Sequence, residues 1–130
     1  MAWYKCGGGG ALKETVLWTN PSPTSNLSAA DQPLSQSINN FKKLVVYYKV
    51  SKSDSAETYV TYDVEEFKNY IVGTANIVGA IGCRSSSATY ARAVYYVDDT
   101  TIRFGGCSRI GTTASTNDSL AIPTKVCGLK

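Results

Sequence analysis

Nine tyrosines, ten carboxylates, four cysteines and no histidine are the side chains with which this chain can do chemistry. The missing histidine removes imidazole metal sites, Ser-His-Asp and Cys-His nucleophiles, and imidazole acid–base catalysis. A glycosidase needs two carboxylates at a set separation across a cleft, and the one dense acidic group is Asp63, Glu65 and Glu66, side by side at a strand end. Hydrolysis is therefore not expected. Asp98 and Asp99, even with Asp118 as a third donor, fall short of the roughly six to eight oxygens that calcium takes. The pair reads as a polar hairpin tip, and no metal or other cofactor is expected. Cys6, Cys83, Cys107 and Cys127 are too widely spaced for a CxxC motif, so they read as buried or half-buried thiols. If any two are bridged, the expected pair is Cys83 with Cys107, each at the end of an apolar strand.

Binding is a better use of these residues than catalysis. An aromatic face stacks on sugar C–H groups while nearby hydroxyl, amide and carboxylate groups supply hydrogen bonds. Tyr47-Tyr48, Tyr59 with Tyr62, and Tyr95-Tyr96 fall in strands, where tyrosine is a good strand former and one member of an adjacent pair must face outward. The candidate ligand contacts are Tyr96, Asp98, Asp99, Ser86, Thr113 and Asn117. All but Tyr96, which ends a strand just before them, come from the segments 85–87, 98–100 and 111–119, which are expected to share the loop end farthest from the amino terminus.

The elements that must position these residues belong to one domain, because 130 residues and 14.0 kDa leave no room for a second core. With 43% apolar and 18% charged residues the chain should fold. Its net charge of +3 is scattered along the sequence, which speaks against nucleic acid. No apolar run approaches the roughly 20 residues that span a bilayer, and the first ten residues lack a signal-peptide core, so neither membrane insertion nor export is expected.

Residues 1–12 read as an attachment arm and residues 13–130 as the folded domain. Trp3, Tyr4 and Cys6 precede Gly7, Gly8, Gly9 and Gly10, a run that cannot specify a conformation alone. A carrier protein or a neighbouring subunit is the expected partner of that arm, Trp3 being its natural anchor. The alternative is that the arm folds back on its own domain.

From Lys13 onward the pattern is β. Residues 14–19 form a short strand stopped by Asn20-Pro21-Ser22-Pro23, with Trp18 turned into the core. A short edge strand is expected near residues 32–37. Residues 41–50 alternate, with Leu44, Val46, Tyr48 and Val50 on the core face, and pair as a hairpin with residues 57–64. Residues 65–70 have a helical cast but are too few for a firm helix. Residues 76–83, apolar with small residues interspersed, are expected to be buried on both sides or to lie close to another backbone. Residues 89–97 and 100–104 flank the Asp98-Asp99 tip, Gly105-Gly106 permits a bulge, and a last strand is entered through Pro123. Seven or eight short strands imply an all-β antiparallel sandwich, jelly-roll-like. Apolar residues on both strand faces favour association about a threefold axis, near residues 77–81 or the face of Val45 and Tyr47.

Three segments together resemble a known family. They are Leu17-Trp18-Thr19-Asn20 with Ser22-Pro23-Thr24-Ser25, the strand Phe41-Lys42-Lys43-Leu44-Val45-Val46-Tyr47-Tyr48-Lys49, and the closing Ile122-Pro123-Thr124-Lys125. They resemble the small β-sandwich domains that end fibre, tail-tip or head-fibre proteins in phages and prophages of Gram-positive bacteria. The resemblance spans residues 12–130. It implies a non-enzymatic virion protein, a homotrimer displayed at the virion surface, made in the host cytoplasm, joined to other virion proteins and able to touch cell-surface glycans. A stand-alone carbohydrate-binding module and a capsid decoration protein without a receptor are the alternatives, with a glycoside hydrolase fragment behind them.

Overall fold

A computed structural model describes residues 13–72, 79–85, 87–111 and 115–130 of the chain. Among them are eight strands: β1 (Glu14–Thr19), β2 (Ala30–Pro33), β3 (Lys43–Ser51), β4 (Glu57–Asp63), β5 (Gly79–Ser85), β6 (Ala88–Asp98), β7 (Thr101–Ile110) and β8 (Leu120–Leu129). A one-turn helix, α1 (Val64–Phe67), follows β4, and a 3-10 turn, Ile38–Asn40, precedes β3. The strands form two four-stranded antiparallel sheets, β1-β8-β3-β4 (sheet A) and β2-β7-β6-β5 (sheet B). The fold is thus the expected all-β sandwich. The pairs β1–β8 and β2–β7, one in each sheet, nest as in a jelly roll, while β3–β4 and β5–β6–β7 run as plain hairpins.

The core between the sheets contains Leu17, Trp18, Leu44, Val46, Tyr48, Ile81, Val94, Ile102, Phe104 and Val126. Three bulges decide who faces it. In β1 the register slips between Val16 and Trp18, which turns both Leu17 and Trp18 inward and leaves Val16 exposed. In β7 the expected bulge falls at Gly105-Gly106 opposite Ala93, so inward parity passes from Phe104 to Cys107. In β8 a slip around Thr124 accommodates Pro123 inside a central strand, where a regular ladder would not.

Two expectations are corrected. Val50, expected on the core face, is 37% exposed at the end of β3. The described part of the apolar 76–83 segment, β5, is not buried on both sides: Gly79 and Ile81 are buried and Ala80 and Gly82 exposed. The reason is its place at the edge of sheet B, with one face toward the core and the other uncovered.

The two sheets are tied at their ends by different means. At the end where β1 begins, Phe67, Tyr62, Tyr70 and Tyr96 pack with ring centroids 5.7–6.3 Å apart, edge to face except for the tilted Tyr62–Phe67 pair. The Tyr70 carbonyl there accepts the Tyr96 backbone N–H at 2.7 Å. At the opposite end the tie is Arg92, on the inner face of β6 and fully buried. Its guanidinium donates to five backbone carbonyls: Ala121 from Nε (2.8 Å), Leu27 and Gly105 from Nη1 (2.7 and 2.8 Å), Leu120 and Asp118 from Nη2 (2.9 and 3.3 Å). One of these acceptors, Ala121, has a φ of +48°. A side chain is uncommon in that left-handed conformation, and the Nε bond helps to hold it.

Candidate functional site

The residues proposed for ligand contact do not share one end. The 3-10 turn links the β6–β7 tip to the start of sheet A: Ile38 N–H donates to the Asp99 carbonyl (2.9 Å), and Lys42 N–H to that of Leu129 (2.8 Å). Asp98 and Asp99 therefore lie at the end where β1 begins. Asn117 and the described parts of the 85–87 and 111–119 segments lie at the other, where Lys52 N–H meets the Ser119 carbonyl and Thr89 pairs with Ile110. Ser86 and Thr113 lie outside the described residues, as do Trp3, Tyr4, Cys6 and Gly7 to Gly10 of the arm.

The acidic tip is occupied by its own neighbours. Asp99 Oδ1 accepts from the Tyr96 hydroxyl (2.7 Å) and Oδ2 from Asn39 Nδ2 (2.8 Å). The bond to Asp99 pushes the Tyr96 phenol up to about 12, with desolvation adding. Asp98 Oδ1 accepts the Thr100 backbone N–H at 2.9 Å, which holds its carboxyl below the ordinary value. Asn117 Oδ1 accepts from the Ser119 N–H and hydroxyl, an Asx turn. Asp118 stands at the far end, its Oδ1 taking the Cys107 N–H at 3.1 Å, so it does not converge with Asp98 and Asp99. Among the described residues no three metal-ligating side chains cluster.

The acidic group 63–66 is similarly engaged. Asp63 pairs with Lys43 at 2.8 Å, Glu65 with Lys68 at 3.3 Å, and Glu66 Oε1 accepts from Tyr70 at 2.8 Å. Cys83 and Cys107 are unbridged thiols. Burial raises both, Cys107 to about 11, against the opposing pull of nearby Arg92. Thiols held protonated in this way are poor nucleophiles.

The outer face of sheet A extends the apolar face of Val45 and Tyr47 that the strand pattern indicated. Toward the end where β1 begins, Val45, Tyr47, Cys127 and Leu129 form a second apolar cluster with exposures of 0, 2, 0 and 3%. Tyr59 packs against it from β4, its ring 5.7 Å from that of Tyr47. The Tyr47 hydroxyl donates to Glu14, and Lys125 Nζ sits 4.6 Å over the Tyr47 ring. Because one chain already buries Val45 and Tyr47, their apolarity is no argument for a threefold contact.

Beyond Lys125 the same sheet opens into a groove of about 760 Å³. It is lined by the β1–β2 connection (Asn20, Thr24), the β3–β4 turn (Lys52, Asp54, Ser55) and the strand residues Glu57, Thr124 and Lys125. Asn20 shapes one wall: its Nδ2 donates to the Pro123 carbonyl (2.8 Å) and its Oδ1 accepts the Ser22 N–H (2.8 Å). Thr124 donates to Glu57 across the β8 bulge. Hydroxyls, an amide, two carboxylates and ammonium groups in one groove suit a polyhydroxylated ligand. These residues are scattered between positions 20 and 125, and the one signal for them was turn composition.

No protein-family model matches the chain, and no curated protein matches it.

Proposed function

We propose that this chain is a non-enzymatic structural module of a phage virion surface, of the fibre, spike or head-fibre type. The observation that supports it is the fold itself, an antiparallel sandwich of two four-stranded sheets whose acidic groups at 63–66 and 98–99 are taken up by their own neighbours and do not face one another across a cleft. The resemblance of residues 12–130 to phage fibre domains supplies the setting, and with it the expectation of a homotrimer joined to other virion proteins. Purified particles of the source phage should contain the chain by mass spectrometry, and particles without it would sink the reading. Light scattering at micromolar concentration should find three times the 14.0 kDa chain.

The groove beside Lys52 and Glu57 favours a second reading, a carbohydrate-binding module. A glycan array separates the two. Signal that is lost with Glu57→Gln and Lys52→Ala supports sugar binding, and no signal above that double variant leaves a purely structural or decoration role.

A further inference from the structure

Among the described residues Lys49 is the one buried lysine, 7% exposed. It stands on the outer side of β3, two positions beyond Tyr47, and lines the groove. Its Nζ donates to the Lys52 carbonyl at 3.1 Å. An ammonium carries three donors, and among the described residues no other acceptor and no carboxylate meets the remaining two. The nearest counter-ion by register is Glu57, opposite Lys49 in the β3–β4 ladder, but Glu57 accepts from the Thr124 hydroxyl and makes no ion pair with Lys49. A buried cation with one neutral acceptor is unfavourable until an anion reaches it. The groove is the open side from which one can come.

We infer that the groove takes the anionic group of an acidic sugar or polyol chain, a carboxylate or a phosphodiester, on the Lys49 ammonium. The inference rests on the carbohydrate-binding reading of this groove and adds the charge of the ligand to it. Lys52 and Lys125 line the same groove, the second with its ammonium resting over the Tyr47 ring, so positive charge gathers around the buried one. Asp54 and Glu57 are the two carboxylates of the lining. Three ammonium groups against two carboxylates leave one positive charge, which matches a singly charged group and not a phosphomonoester dianion. The carboxylates and the Ser55 hydroxyl suit hydroxyl groups beside the anion, as a polyol presents them. A lysine is a point charge without the planar fork of arginine, so carboxylate and phosphodiester fit it alike. At about 760 Å³ the groove has the size of a small-molecule site, enough for a short stretch of such a chain.

A binding array of matched pairs tests this, each oligosaccharide present as its uronic acid and as the methyl ester, with phosphodiester-linked glycerol and sugar chains beside them. The unaltered chain should bind acidic members at least about tenfold more strongly than their esters, and Lys49→Met, which keeps the apolar stem, should lose that preference. Whether uronates or phosphodiesters give the signal identifies the source of the anion. A second measurement needs no variant: raising salt from about 20 to about 200 mM should weaken binding to the acidic members several-fold and leave any ester binding unchanged. Equal binding to acids and esters, or an acid preference that survives in folded Lys49→Met, would overturn the anion site while leaving the groove a sugar site. No binding to any member would overturn both.

Discussion

Sheets A and B have the same number of strands and opposite manners of burial. In sheet B the central strand β6 alternates: Arg92 and Val94 are buried, while Ala91, Ala93 and Tyr95 on the outer side are half-exposed. This is what one covered face dictates. In sheet A the six β3 residues from Leu44 to Lys49 are all buried, and β8 is buried along most of its length. On these two strands both faces are buried. The lesson is that the two sheets can be told apart strand by strand: burial skips alternate residues along the middle of β6, and along β3 and β8 it does not.

The largest test breaks the join between the sheets. Arg92→Met removes five bonds at once and leaves the carbonyls of Leu27, Gly105, Asp118, Leu120 and Ala121 without this partner, those of Leu120 and Ala121 at buried positions. A loss of about 3–5 kcal/mol is expected, by analogy with breaking buried charged networks. Urea denaturation measures it, and a loss under about 1 kcal/mol would mean that water takes over the guanidinium's role.

The next compares the two outer faces directly. Tyr47→Ser on sheet A should cost about 2–4 kcal/mol, as large-to-small changes at buried aromatic sites do. Tyr95→Ser at the equivalent outward position of sheet B should stay within about 1 kcal/mol. Equal costs would erase the distinction between the buried outer side of β3 and the half-exposed outer side of β6.

The smallest effect is a pH dependence confined to the inner layer. Cys107 is raised from 9.0 to about 11 and Tyr96 from 10.0 to about 12, and burial raises Tyr62 as well. In each case the fold accommodates the neutral form. Stability from these groups is therefore complete below about pH 9 and declines as pH rises toward 12. Thermal melts should show the melting temperature falling above pH 9, and Cys107→Ala should shrink the first part of that fall, the remainder there belonging to Cys83. A melting temperature constant to pH 11 would contradict the assignment.

Much of this architecture was legible from local pattern. Glu14–Thr19 ends where Asn20-Pro21 ends it, the β3–β4 hairpin follows from two alternating runs around turn residues, and the β6–β7 hairpin closes beside Asp98 as its flanks require. Arg92 shows a signal that was present and unused. It shares parity with Tyr90, Val94 and Tyr96, so strand alternation alone directs it inward, and only its charge argued otherwise. The apolar outer side of β3 was legible as the face of Val45 and Tyr47, whereas the groove and the joining of that face to Cys127 and Leu129 were out of reach for another reason. They depend on which strands become neighbours, and the β1–β8 and β8–β3 pairings join residues far apart in the chain, from Ser51 with Leu120 to Glu14 with Leu129.

The five bonds of Arg92 also have a temporal side. Their acceptors lie at positions 27, 105, 118, 120 and 121, so the set is complete only after the β1–β2 connection, the β7 bulge and the start of β8 have all arrived. A guanidinium with one or two of its carbonyls in place is a desolvated charge with most of its donors idle, a state less favourable than either the hydrated ion or the finished clasp. Half-docked intermediates at that end of the sandwich are thereby depopulated. Amide exchange around Leu27, Gly105 and Leu120 should then proceed through a single cooperative opening, and the last strand of the chain acts as the latch that makes assembly of the domain all-or-none.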